Sequence, residues 1–131
     1  MGAEIQADVS DAEMEVLKVL WQLGPALARE VGRELKRRRK RWAYTTILTL
    51  LARLRGKGYV TQAKHPGGAA HVFAAAVTRE QVLGRQLTDL AERVCDGTAS
   101  PLVQALINSR RLKRGDIAYL RRMLEGLADK E

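Results

Sequence analysis

Apolar residues in the first half of the chain recur at helical steps, then lose that period, then regain it. Met14, Leu17, Leu20 and Trp21 fall at three- and four-residue intervals and form one stripe, which predicts an amphipathic helix stopped by Gly24 and Pro25. Ser10 and Glu13 stand at capping-box spacing ahead of that stripe, so hydroxyl and carboxylate can each satisfy a free backbone N–H at the helix start. A second, shorter helix is expected from about Ala28 to Lys36, burying Ala28, Val31 and Leu35 and leaving Arg29, Arg33 and Glu34 outside. The stretch YTTILTLLARLRGKGY that begins at Tyr44 carries Ile47, Leu50, Leu51 and Leu54 on one side of a third helix, ending at Gly56 or Gly58.

From Tyr59 to Val77 the helical period disappears. The β-favouring pieces YVTQAK and HVFAAAV flank His65-Pro-Gly-Gly68, which predicts a hairpin with a flexible tip. Thr78 and Gln81 repeat the capping-box spacing, and Val82, Leu83, Leu87, Leu90, Ala91 and Val94 mark a long amphipathic helix ending near Asp96 and Gly97. Ser100 reads as the cap of a further helix with Pro101 in its first turn and Leu102, Val103, Leu106 and Ile107 along one side. A last helix uses Ile117, Leu120, Leu124 and Leu127.

The order helix, helix, helix, hairpin describes a winged helix-turn-helix head over residues 1–77, followed by a three-helix module over residues 78–131. The fold class is therefore mainly α with a small β-hairpin wing. Three short helices in roughly 54 residues bury little apolar surface alone. Self-association is expected to complete their core, with Leu83, Leu87, Leu90, Val94, Leu102, Leu106, Leu120 and Leu124 as the dimerisation face.

Charge changes the picture in one region. The formal net charge is +8 and the isoelectric point is near 10.1, which implies an anionic partner. Twelve Lys and Arg against two acids lie between Arg29 and Lys64, while the rest of the chain is mildly acidic. The basic excess thus sits on the second half of the winged-helix pattern, as a protein entering a major groove requires. Arg29, Arg41, Arg53, Lys57 and Lys64 are candidates for phosphate contact, which gives salt-sensitive affinity and little sequence choice. On the third helix Thr45, Thr49, Ala52 and Gly56 lie opposite the leucine stripe, with Thr46 and Arg53 on one flank. Thr45, Thr46 and Thr49 let the backbone approach base edges closely, where a threonine donates, accepts or presses its methyl on thymine. Tyr44 begins that helix, and Trp42 ahead of it either packs or meets a backbone phosphate.

These residues carry a resemblance. SDAEMEVLKVLWQLGPALAREV, WAYTTILTLLARLRGKGYV and the tail with DGTASPLVQAL resemble the penicillinase and methicillin-resistance repressors (BlaI/MecI type), nearly end to end. The resemblance implies a homodimer that binds double-stranded DNA at a palindromic operator through its heads and dimerises through its C-terminal helices, and the single cysteine fits a cytoplasmic location. It also implies release through a membrane sensor-protease pathway, which cuts near the position equivalent to Ala105 and Leu106. Ala105 stands where the family usually has Asn, Leu27 where a Ser or Thr cap is usual, and Lys113-Arg-Gly-Asp116 where an acidic helix start is usual.

Other classes are weaker fits. The single Cys95 excludes an internal disulfide, a multi-cysteine zinc site and the cysteine cluster of a related copper-sensing branch. Packing in a dimer helix is the simpler role for that thiol. His65 and His71 lack a third metal ligand and read as surface residues of the hairpin. No spacing brings together a nucleophile, a base and an orienting group, so neither an enzyme nor a cofactor is expected. No apolar run reaches bilayer-spanning length, and MGAEIQADVSDAE lacks the features of a signal peptide. The basic run KRRRKR starting at Lys36 is open to a second reading, as a solvated loop. A winged helix also serves protein-interaction and RNA-binding modules.

Overall fold

The computed structural model describes residues 8–68 and 70–129. Residues 1–7, part of the stretch read above for an export signal, lie outside the described residues. The elements run α1 (Asp11–Leu23), β1 (Ala26–Leu27), α2 (Ala28–Arg37), α3 (Tyr44–Gly56), β2 (Val60–Lys64), β3 (His71–Ala75), α4 (Arg79–Val94), α5 (Ser100–Asn108) and α6 (Arg114–Asp129). Contacts divide the chain into two units between Leu83 and Gly84.

Both halves of the first capping box form. The Glu13 amide donates to Ser10 Oγ at 3.1 Å, and the Ser10 amide donates to Glu13 Oε1 at 2.8 Å. The buried stripe of α1 is wider than its period indicates, because Val16 and Val19 are closed off along with Leu17 and Leu20. Met14 and Trp21 are half-buried against that core. Trp21 Nε1 donates to the Val77 carbonyl at 2.9 Å, and the Arg79 guanidinium lies 5.5 Å above its ring. The first turn of α4 thereby joins the first unit, where Val82 is buried.

Leu27 occupies the N-cap of α2 and offers no side-chain acceptor, while Glu30 Oε1 accepts the Leu27 amide at 2.8 Å. The expectation that Glu34 stays outside fails. Its carboxylate is buried, because it accepts a paired hydrogen bond from Arg37 at 2.9 and 2.8 Å and another from Arg38 at 3.2 Å. Arg38 also donates to the Gln22 side chain on α1.

Helix α3 buries Ile47, Leu50, Leu51 and Leu54 as its stripe predicts. It ends in a Schellman motif: Gly58 has φ +88°, its amide donates to Arg55 O at 3.1 Å, and the Tyr59 amide donates to Leu54 O at 2.9 Å. The predicted hairpin is β2 against β3, antiparallel, with Val60 opposite Ala75 and Lys64 opposite His71. The sheet has a third strand that the pattern did not announce. Ala26 and Leu27 pair with Phe73 and Val72, giving the order β1-β3-β2.

The second unit is built differently. In α4 the second capping box is present, with Thr78 N to Gln81 Oε1 at 2.8 Å and Gln81 N to Thr78 Oγ1 at 3.0 Å. That helix stops where Asp96 and Gly97 take left-handed conformations. Helix α5 corrects one expectation, since Ser100 is its first helical residue and Ala99 occupies the N-cap without a side-chain bond. The Thr98 hydroxyl of the same turn is bonded back to Cys95 O at 2.8 Å. Among the described residues 84–129 none is buried, and Cys95 is half-buried.

Candidate nucleic-acid interface

The turn between α2 and α3 gathers cations because its geometry and its charges are set by the same residues. The Lys40 amide donates to Leu35 O at 2.8 Å and the Arg39 amide to Lys36 O at 2.9 Å, closing a second Schellman motif with Arg39 in its left-handed position at φ +68°. Within the run 36–41, Arg37 and Arg38 are paired with Glu34, which holds that carboxyl down at about 2 chiefly through the Arg37 hydrogen bond. Lys36, Arg39, Lys40 and Arg41 remain exposed.

Four of the predicted contact residues meet in one cleft. Arg29, Arg41, Trp42 and Tyr44 line it together with Arg33 and Lys36. Trp42 packs against the hydrophobic core, in keeping with the packing alternative for that ring. Lys36 and Lys40 were visible only as members of a basic run, and Arg33 only as an outward residue of the second helix. Their convergence with Arg29 follows from helix spacing, because residues 29, 33 and 36 lie three or four apart on α2.

Thr45, Thr46, Thr49 and Arg53 all lie on the exposed side of α3. Thr49 Oγ1 donates to Thr45 O at 2.9 Å, so this hydroxyl is turned onto its own helix and presents its methyl and a lone pair outward. No side chain caps α3 at Ala43, and no acid lies in its first turn. Arg55 reaches across to Gln62 on β2 at 3.1 Å and ties the helix to the wing. Lys64 is exposed on the wing opposite His71, at a distance in sequence from the cleft.

Lys57 is placed otherwise than expected. Its ammonium donates to Glu13 Oε1 at 2.7 Å and to the Asp8 carbonyl at 2.8 Å, so its charge is spent inside the head rather than offered outward. Glu13 is 1% exposed. Burial pushes its carboxyl up, but donors from Lys57 and Ser10 outweigh that and hold it below the ordinary 4.5. Nothing in the sequence linked residues 13 and 57.

Among the described residues no group of three or more His, Cys, Asp or Glu can hold a metal ion. None of their helices is long and apolar enough to cross a membrane.

The sequence profile of the penicillinase repressor family matches residues 9–126. The chain belongs to the penicillinase repressor family. It is 29% identical to the penicillinase repressor of Bacillus licheniformis over 117 residues, covering 89% of each chain. Against the methicillin resistance regulatory protein MecI of Mammaliicoccus sciuri it is 26% identical, covering 89% of this chain and 93% of that one. These named relatives are regulators and not enzymes. Among solved structures, the DNA-binding domain of the repressor BlaI is 34% identical with a TM-score of 0.49, covering 59% of this chain and 89% of that one. Wild-type MarR from E. coli is 19% identical with a TM-score of 0.50, covering 92% of this chain and 78% of that one, a likeness of fold alone.

Proposed function

We propose that this member of the penicillinase repressor family is a cytoplasmic, sequence-specific repressor that binds double-stranded operator DNA as a homodimer. The observation that carries the reading is the outer side of α3: small, exposed and hydroxylated at Thr45, Thr46 and Thr49, beside a cleft of exposed cations. In this reading α3 enters the major groove. Arg29, Arg33, Lys36, Lys40 and Arg41 meet phosphates on one side, Arg53 and Lys64 elsewhere along the backbone, and Tyr44 marks the helix entry. Lys57 is not assigned a phosphate, because Glu13 and Asp8 take two of its three donors and Glu13 neutralises its charge.

The homodimer is supported by the second unit, whose leucines remain uncovered in the single chain, Leu87 at 46% and Leu124 at 63% exposure. A palindromic operator would follow from two-fold symmetry. Inducer-triggered release through a sensor-protease pathway belongs to the same proposal, with Ala105 and Leu106 as the cut. Both are exposed within α5, where the Ser109 amide is bonded to Ala105 O at 3.0 Å, so cleavage there needs the last turn of α5 to open.

The test is a gel shift of the full chain on duplexes selected from a random pool, at fixed salt. Selected duplex should bind at least about a thousandfold tighter than random duplex, the low end of the usual specific-to-nonspecific range. Arg41→Ala should weaken both alike and flatten the salt dependence by about one phosphate's worth. Equal affinity for all duplexes would overturn the repressor reading, and tighter binding to RNA would favour the RNA-binding alternative.

A further inference from the structure

We propose that α3 reads its half-site mainly through thymine methyl groups, with Leu48 as the residue that determines specificity. This inference rests on the DNA-reading role given to α3 above, and adds the chemical class of base feature that it recognises.

The outward positions of α3 hold none of the Asn, Gln or centrally placed Arg side chains that make paired hydrogen bonds to a base edge. Between Tyr44 and Thr46 in the first turn and Arg53 and Arg55 in the last, they hold Thr45, Leu48, Thr49 and Ala52. The Thr49 hydroxyl donates inward to Thr45 O at 2.9 Å, which leaves its methyl outward with no donor beside it. Leu48 lies three residues after Thr45 and four before Ala52, so the three side chains are neighbours on one helical surface. The resulting patch is aliphatic apart from the Thr45 hydroxyl at its edge.

Leu48 itself is out of place for a core residue. It is 38% exposed, whereas Ile47, Leu50, Leu51 and Leu54 of the same helix are at 5% or below. It forms part of a shallow groove with Arg29, Tyr44, Gln62 and His71. A single exposed leucine is ordinary on a protein surface. An aliphatic patch that shares Arg29 and Tyr44 with the neighbouring cationic cleft is more selective in what it fits: a polyanion that carries apolar groups in a recess. In the major groove of duplex DNA the apolar group on a base edge is the C5 methyl of thymine. Cations meeting the phosphates would bring these methyls against Leu48, Thr49 and Ala52, and closing water out of that contact supplies the discrimination.

The experiment uses the full chain and a duplex selected by it. Each thymine of one half-site is replaced by deoxyuridine, which deletes the methyl and keeps the base pair. Wild-type protein should lose about fourfold in affinity at one or more positions, the effect of leaving one buried methyl unmade. Leu48→Asn should bring the thymine-to-deoxyuridine ratio at that position close to one while leaving the salt dependence unchanged, its folding checked by thermal melting. A wild-type protein that selects a sequence yet binds deoxyuridine and thymine equally everywhere overturns the methyl reading. A Leu48→Asn protein that keeps the full penalty overturns the assignment to Leu48. Equal binding to every duplex sinks the DNA-reading role itself, a result distinct from both.

Discussion

The two units use the same apolar residues to opposite ends. Seventeen hydrophobic side chains form the closed core of the first unit, from Val16 to Val82, and Leu17, Leu35, Leu51 and Leu54 are sealed from solvent. The second unit has leucines at the same helical spacing on α4, α5 and α6, yet no described residue of it is buried. The difference is one of partners rather than of composition. Three helices, the first turn of α4 and a three-stranded sheet enclose a common interior in the first unit, whereas the remainder of α4 with α5 and α6 present one apolar stripe each and have too little surface among them to close over it. Under the proposed homodimer, a sequence of this kind specifies half of a core.

The strongest way to break that contrast is to make one edit in both units. Leu51→Ala should destabilise the first unit by about 2–5 kcal/mol in urea unfolding, regardless of protein concentration. Leu124→Ala should leave the unfolding of the first unit alone and raise the dissociation constant of the dimer by roughly tenfold, about 1.4 kcal/mol. Sedimentation across a concentration series reads the second effect. A concentration-independent mass for both proteins would mean that the second unit stands complete by itself.

A smaller effect is expected at the ion pair that joins the ends of α1 and α3. Lys57→Met strips Glu13 of its charged partner and leaves a carboxylate in the core. Fully buried pairs lose about 3–5 kcal/mol when broken this way, and the 27% exposure of the Lys57 side chain reduces this to about 2–3 kcal/mol. Affinity for random duplex should stay within about twofold, since the charge faces inward; a large loss would restore Lys57 to the phosphate set.

The smallest effect is one of pH. Glu34 is held at about 2 by Arg37, below the ordinary 4.5. A depressed carboxyl stabilises the folded chain above 4.5, and that contribution is lost as pH falls from 4.5 through about 2. Urea midpoints measured at pH 5 and pH 3 should therefore fall more for the wild type than for Glu34→Gln. Equal slopes would show that the Arg37 and Arg38 contacts do not persist in solution.

What was legible in the sequence was local. Both capping boxes, the buried face of α3, the Gly58 stop and the β2–β3 hairpin each depend on residues within a few positions of one another, and each formed as read. Pairings across space were not legible. Glu34 looked like an outward acid because its burial depends on two arginines folding back over it, and Lys57 looked free because its acceptor is 44 residues away. Strand β1 is two residues long, too short to have a period, and exists because β3 offers it an edge. Leu48 was hidden for a different reason: it falls between the buried stripe and the threonine face, and an apolar residue there carries no charge or hydrogen-bonding signal to mark it.

The left-handed Arg39 bears on how this protein would respond to engineering. At φ +68° a glycine is the comfortable occupant, and a side chain there costs on the order of 1–2 kcal/mol. Variants screened for heat tolerance alone would drift to glycine at this position and lose one exposed cation from the α2–α3 turn. Variants screened for grip on a polyanion would keep the arginine and accept a softer turn. Residue 39 is where those two selections pull apart, and it offers a single dial between a sturdier head and a stickier one.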